Sequence, residues 1–354
     1  MSSFVQFGAR FDPVPGDVAR RLGSIDRAAG QADLYRQQFP RLLEHLRDRA
    51  RVESVSASSA IEGVVAPAAR AEAIILDASE TPRTRSEAEL RGYSNALTHI
   101  FDLAGAEPGV SVGLILHLHR LLFEPTGMVG AGQFKTADNV VTERHADGRR
   151  TVRFHPVSAT GTPGAIRTLV DGYGETASRG VHHPLLLVSG FLLDFTVIHP
   201  FADGNGRVSR LLANLLLSHS GYDVGRFVSI ERQIERSKER YYATLRASTD
   251  GWEAATHDVW PSTAFMVEMV DETYAKFVSF AEVERSAGSK QKRVRRYLQD
   301  HGHRVFTMED LRTALPGVSD ATIRLVLKEM RDAGLVEATS GRSAQWTLRE
   351  PGRS

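Results

Sequence analysis

The stretch IHPFADGNGRVSRLLANLLL, Ile198 to Leu217, decides how the rest of the chain is read. An apolar run ends at Ile198, a His-Pro-Phe corner follows, and a glycine-bearing loop opens into a second apolar run. Gly204 and Gly206 flank Asn205, so the backbone can turn through positive φ and come close to a ligand. Successive N–H groups in such a loop converge into an anion-binding nest, and the start of the following helix favours a phosphate as well. Arg207 and Arg210, three apart on that helix, share a face and can clamp phosphates. Asp203 would repel those phosphates unless a Mg²⁺ ion lay between them. His199 stands just outside the nest, where a neutral imidazole can accept a proton from an attacking hydroxyl. Phe201 is expected to enter the core, and Leu211, Leu212, Leu215 and Leu216 to anchor the helix behind it. The Gly-Lys-Ser/Thr ending of a Walker A loop is absent.

On either side of this stretch the chain is helical in character. Helical periodicity covers 27–62, 86–102, 110–124, 166–179, 184–197, 205–219, 231–247 and 261–280, a mainly α body of eight to ten helices. Residues 1–26 read as an arm with short ordered pieces. DASETPRTR at 78–86 and PVSATGTPGA at 156–165 are breaks. One segment departs from the pattern: NVVTERHADGRRTVRFHP (139–156) has β-prone residues on both sides of Asp147-Gly148, which predicts a short hairpin. Past 281–289 three short helices and a terminal hairpin follow, with Ile323, Val326, Leu327 and Met330 at core spacing. Helix–helix–helix–wing is the simplest account, hence a winged-helix domain at 290–350. The expected organisation is therefore an N-terminal helical segment (1–109), a core (110–280) and this last domain.

The 354 residues are 42% hydrophobic and 25% charged, an ordinary composition for a chain that buries a sizeable core in two or three domains. Formal net charge is +1, so any nucleic-acid surface must be local. With no cysteine, disulfides and thiolate catalysis are excluded. The first residues carry no basic segment followed by an apolar run, and the longest apolar stretches fall short of the roughly 18 residues a membrane span needs. No membrane partner and a cytoplasmic location are expected.

HPFADGNGRVSR, His199 to Arg210, matches without departure the signature of the Fic domain, an all-helical fold whose usual activity is AMP transfer. The resemblance implies a protein adenylyltransferase using ATP and Mg²⁺. In it His199 resembles the general base that deprotonates a Tyr, Thr or Ser hydroxyl, and Asp203 the Mg²⁺ ligand. Gly204, Asn205 and Gly206 resemble the phosphate nest, Asn205 and Arg207 phosphate contacts, and Arg210 the arginine that orients the terminal phosphate. The hairpin at 139–154 then resembles the family's flap, which holds a protein substrate by main-chain bonds. Self-modification and a homo-dimer are further expectations of the resemblance. Tyr241 and Tyr242 resemble a tyrosine pair found near the nucleotide's base and ribose.

Ser58-Ser59-Ala60-Ile61-Glu62-Gly63 puts Ser58 and Glu62 on one helix face, with Gly63 as a natural terminator. It resembles the inhibitory helix of Fic proteins that restrain themselves from the N-terminal side, an expected helix near 50–63. The resemblance has Glu62 pair with Arg210 and block the terminal phosphate. In some relatives the same glutamate supports removal of AMP.

His117 and His119, two apart, cannot share a helix face and are expected as core or hydrogen-bonded groups; His182 and His183 at a helix start are expected to be structural. No arrangement of residues supports zinc. In the last domain KQKRVRR (290–296), Arg324, Lys328, Arg331 and Arg342 leave room for DNA, while Asp320, Glu329, Asp332 and Glu337 dilute that face. Two other functions stand beside AMP transfer. One is a DNA-binding regulator with a nucleotide-sensing Fic core. The other is a phosphotransferase of the Doc type, whose members carry Ala and Lys where this chain has Gly204 and Arg207.

Overall fold

The computed structural model describes residues 3–38, 40–103, 109–144, 150–286, 290–300, 305–338 and 345–348. In chain order these form α1 (Phe7–Phe11), α2 (Gly16–Gln38), α3 (Pro40–Ile61), α4 (Ala68–Leu76), α5 (Arg85–Leu103) and α6 (Val112–Phe123). A hairpin of β1 (Val141–Arg144) and β2 (Arg150–Phe154) follows, then α7 (Thr162–Ser178), α8 (Pro184–Ile198), α9 (Asn205–His219), α10 (Ile230–Arg236), α11 (Lys238–Thr249) and α12 (Trp260–Ser286). The C-terminal elements are α13 (Lys290–Asp300), α14 (Met308–Ala314), α15 (Asp320–Asp332), β3 (Val336–Ala338) and β4 (Trp346–Leu348). The chain divides after Val278 into two compact units.

The core of the first unit is the pair α8 and α9. α8 is apolar around nearly its whole circumference, as a helix surrounded by others must be. Pro184 occupies its first turn, where no N–H is needed, and the His183 ring caps it by accepting from Leu185 N–H at 3.2 Å. α9 is buried along most of its length, with Leu211, Leu212, Leu215 and Leu216 at 0–1% exposure, and Phe201 in the preceding loop is fully buried. The loop 199–204 joins the two.

α5 and α6 pack unusually closely. A side chain on Gly92 would lie 1.9 Å from the Leu122 carbonyl oxygen, so only glycine permits the crossing. The crossing carries His119 and Phe123 of α6 to the loop, while on α5 Glu89 reaches Arg207 of α9 and Tyr93 reaches Glu231 of α10.

Several elements differ from the sequence reading. Residues 3–26 are not a loose arm: Phe7 and Phe11 are buried, and α2 already runs from Gly16 with Val18, Leu22 and Ile25 inward. The span 27–62 is two helices, because Pro40 begins a new one. The span 231–247 divides at Ser237, whose backbone (φ −115°, ψ 29°) leaves the helical region. The hairpin forms as an antiparallel pair with a register shift between Val141 and Thr142, and its Asp147-Gly148 turn lies outside the described residues.

The second unit has its own apolar cluster, including Val294, Leu298, Phe306, Ile323, Val326 and Met330. Three helices are followed by the antiparallel β3–β4 pair, with Val336 opposite Leu348. Two of its acids are held internally, Glu329 by Arg295 and Asp320 by Arg312. Arg342 lies outside the described residues. Among the described residues no helix is long and apolar enough to cross a membrane.

Candidate active site

His199 caps α8 in the left-handed region (φ 52°, ψ 62°), and its N–H bonds the Phe195 carbonyl at 3.0 Å. A non-glycine residue held there is strained and is fixed by its surroundings. Its Nδ1 lies 3.3 Å from the Thr196 carbonyl oxygen, which only accepts, so Nδ1 carries the proton and Nε2 keeps its lone pair. Burial pushes the imidazole down to about 4, so it is neutral near pH 7.

The loop is locked from inside. Asn205 Oδ1 accepts from Phe201 N–H at 2.9 Å and its Nδ2 donates to the Phe201 carbonyl at 2.8 Å. That side chain is occupied by the loop, so Asn205 offers a nest its backbone N–H. Gly204 adopts φ +82°, and a Cβ there would meet the Phe123 ring at 2.5 Å. From the other side, Lys135 N–H bonds the Pro200 carbonyl at 2.9 Å and Asn139 Nδ2 the Phe201 carbonyl at 3.1 Å. The segment leading into the hairpin is thereby tied to the loop that carries His199.

His119 completes this tie. Its ring stacks on Phe201 (3.9 Å between centroids, 7° between planes), Nδ1 accepts from Gly132 N–H at 2.8 Å, and Nε2 lies 3.2 Å from the Asp203 carbonyl oxygen. Burial lowers it to about 4. It is a hydrogen-bonded core residue, while His117 contacts Arg120 at 2.7 Å and the His99 ring, and His183 lies 3.3 Å from Asp26.

Asp203 is half exposed, with Oδ1 accepting from Gly204 N–H at 2.6 Å. Among the described residues no three His, Cys, Asp or Glu side chains converge as a metal cage. A lone carboxylate beside a phosphate nest nonetheless suits Mg²⁺, which is commonly held by one carboxylate together with substrate phosphates.

The two arginines have different partners. Arg207, 3% exposed, is paired with Glu89, lies 3.7 Å from Asp203 and stacks over Phe123 at 4.9 Å. Glu89 was missed by sequence reasoning, since a glutamate more than a hundred residues away carries no local signal. Arg210, also 3% exposed, donates from Nε to Ser58 Oγ at 2.8 Å and from Nη2 to the Ser58 carbonyl at 3.0 Å and Glu62 Oε1 at 2.8 Å. Its Nη1 finds no acceptor among the described residues. The Glu62 side chain keeps 32% of its exposure. Burial raises its carboxyl, but the Arg210 guanidinium more than offsets this and holds it below the ordinary carboxylate value.

Glu62 also sits at the start of α9: a Cβ on Gly206 would lie 2.3 Å from Glu62 Oε1. A carboxylate thus occupies the helix N-terminus, a place that favours an anion. α3 ends at Ile61, and Gly63 adopts φ +81° in the turn just past Glu62. Beside Arg210 an apolar pocket opens between α8, α9, α11 and α12, lined by Leu192, Thr196, Tyr241, Leu245, Phe265 and Met266 among others. Tyr241 stands within it and packs on Tyr242 (5.3 Å) and Phe265 (5.8 Å).

Residues 109–217 match the Fic/DOC family. The protein adenylyltransferase Fic of Drosophila willistoni is 26% identical over 261 residues, covering 72% of this chain and 47% of its own length. That of Culex quinquefasciatus is 25% identical over 186 residues (52% and 33%), and protein adenylyltransferase fic-1 of Caenorhabditis elegans 29% over 142 (40% and 25%). The chain therefore spans between a quarter and half the length of these relatives. Among solved structures, a Fic family protein from Desulfovibrio desulfuricans superposes with a TM-score of 0.67 at 22% identity, covering 96% of this chain and 98% of that one. A Fic domain containing signaling protein from Bacteroides thetaiotaomicron gives 0.62 at 21% identity, covering 73% and 97%. The chain carries a Fic domain, and its mainly helical fold is that of these proteins.

Proposed function

We propose that this chain transfers AMP from ATP to a Tyr, Thr or Ser hydroxyl of a protein, itself included, and that Glu62 restrains it. The observation that supports this reading best is the company of Arg210. A nearly buried guanidinium, at the N-terminus of a helix, is shared by a fixed partner (Ser58) and a carboxylate that keeps a third of its exposure (Glu62). Its Nη1 has no acceptor among the described residues, which suits a ligand that brings several oxygens.

In this reading the triphosphate lies over the Gly204–Gly206 backbone with its terminal phosphate on Arg210. The pocket beside Tyr241 takes the base. Asp203 would hold Mg²⁺, which neutralises phosphate charge when bound. A target segment lies along the hairpin by strand addition. The target hydroxyl gives its proton to His199 Nε2, its oxygen bonds the α-phosphorus, and the bond to the β-phosphate oxygen breaks, releasing pyrophosphate. A buried imidazole near 4 is a weak base, which suits a loose phosphoryl transition state in which positioning and charge neutralisation dominate. Glu62 occupies the terminal-phosphate position and repels it. Gly204 and Arg207 favour AMP over the Doc-type phosphotransfer.

The test is the mass of protein incubated with ATP and Mg²⁺, as wild type, Glu62→Gly, and Glu62→Gly with His199→Ala. A shift of one AMP that grows in the single variant and vanishes in the double supports catalyst and brake together. No AMP shift in Glu62→Gly, with or without a library of target proteins, would overturn the reading.

A further inference from the structure

The carbonyls of Ile198, Pro200 and Phe201, on either side of His199, all face one short segment, residues 135–139. Lys135 N–H donates to the Pro200 carbonyl at 2.9 Å. The Lys135 side chain is buried; its ammonium lies 3.4 Å from the Ile198 carbonyl oxygen and donates to Asn139 Oδ1 at 2.9 Å. Asn139 Nδ2 donates in turn to the Phe201 carbonyl at 3.1 Å. The orientation of that amide is forced. Its oxygen meets an ammonium, which only donates, and its nitrogen meets a carbonyl, which only accepts.

His199 needs such a hold. Its φ of 52° is costly for a residue with a side chain and persists only where the surroundings impose it. Ile198 is the last residue of α8, so its carbonyl has no partner within the helix, and a cation there also meets the negative end of the helix dipole. The Phe201 carbonyl accepts a second bond from Asn205 at 2.8 Å and is therefore gripped from two sides. The segment that supplies these bonds is also the root of the hairpin. Asn139 stands two residues before β1, and Asp138 Oδ1 accepts from Ala159 N–H at 2.7 Å, which ties the chain leaving β2 to the chain entering β1.

Hairpin and histidine are thus joined through two side chains. We propose that Lys135 and Asn139 are positioning residues that set the distance between a target segment lying on the hairpin and the His199 imidazole. The inference rests on the AMP-transfer reading above. It means that the target side of the site and the nucleotide side are built separately. The nucleotide side keeps its own supports, Asn205 on Phe201 and Arg210 on Ser58, when Lys135 or Asn139 is changed.

The test uses the full chain in the Glu62→Gly background and separates rate from binding. Asn139→Asp keeps the shape and the acceptor for Lys135 but sets a carboxylate oxygen against the Phe201 carbonyl. Lys135→Met keeps the length of the side chain and removes the ammonium. The rate of AMP transfer at saturating ATP is read by mass, on the chain itself or on a protein that it labels. ATP binding is measured by titration calorimetry with Mg²⁺. The expected result in both variants is a rate lower by about ten- to a hundredfold, the scale of a misplacement of about 1 Å, with ATP affinity within about twofold of the parent. If Lys135→Met does not fold, as its melting curve would show, Asn139→Asp decides alone. An unchanged rate in either folded variant would overturn the proposal. So would ATP binding weakened by the same factor as the rate, which would mean a structural role only. Absence of transfer by Glu62→Gly itself, on any protein, would instead overturn the AMP-transfer reading, and this proposal with it.

Discussion

Glu62 Oε1 lies 2.3 Å from the position a β-carbon on Gly206 would take, and in the same place accepts a hydrogen bond from Arg210. The carboxylate therefore rests on the bare backbone of the first turn of α9, where the helix dipole and an arginine both favour an anion. Any anion that binds there must first displace it.

Gly206→Ala separates the two halves of that relationship. The added methyl should expel the Glu62 carboxylate but would stand where the proposed phosphate lies. The expected outcome is loss of the Glu62–Arg210 contact with no gain in ATP binding, whereas Glu62→Gly gains about tenfold or more. Tighter ATP binding by Gly206→Ala would show that the phosphate does not use this surface.

His199→Ala in the Glu62→Gly background should lower AMP transfer by about 10²–10⁴-fold, the usual worth of a general base, and leave ATP binding within about threefold. Because the ring is held near 4 in the free protein, kcat/KM of Glu62→Gly should show no inflection near pH 6.5. An inflection there would mean that His199 titrates as an ordinary imidazole.

The proposed restraint by Glu62 is expected not to be released by protonation near neutrality. The Arg210 guanidinium holds Glu62 below the usual carboxylate value, so it stays ionised near neutrality, and the wild-type to Glu62→Gly activity ratio should be flat between about pH 6 and 8.5.

Acid stability follows from three buried rings, His119, His199 and His257, each pushed by burial to about 4 against 6.5 for a free imidazole. Between those values the unfolded chain binds protons that the folded chain refuses. Stability from these groups is fully present above about 6.5 and is lost as pH falls through about 4. Unfolding near pH 5 should take up to about three protons from them, measurable as the slope of the denaturant midpoint against pH. Replacing His119 by Gln should make that slope shallower.

Gly92→Ala should destabilise the first unit by about 3 kcal/mol, at the upper end of overpacking costs, because the new methyl meets the backbone of Leu122 rather than a side chain that can move. A melting temperature unchanged from wild type would show that α5 and α6 can separate without cost.

What the sequence by itself determined is what is written locally. Residues 198–217 carry their own grammar: an apolar helix, a corner, two glycines around an asparagine, and basic groups on one face of the next helix. The structure puts Phe201, Gly204 and the α9 leucines where that grammar requires, and the hairpin between 139 and 154 follows from β-prone runs. The helix boundaries at Pro40 and Ser237 and the burial of Phe7 and Phe11 were weaker signals of the same local kind. Tertiary structure alone decided the partners. Glu89 reaches Arg207 across 118 residues, Tyr93 reaches Glu231 across 138, and Asn205 turns its amide onto Phe201. Such pairings leave no periodicity, because a buried charge selects whatever complementary group the packing brings within hydrogen-bond reach. The close approach of α5 and α6, possible only at Gly92, sets His119 and Phe123 against the loop and Glu89 against Arg207.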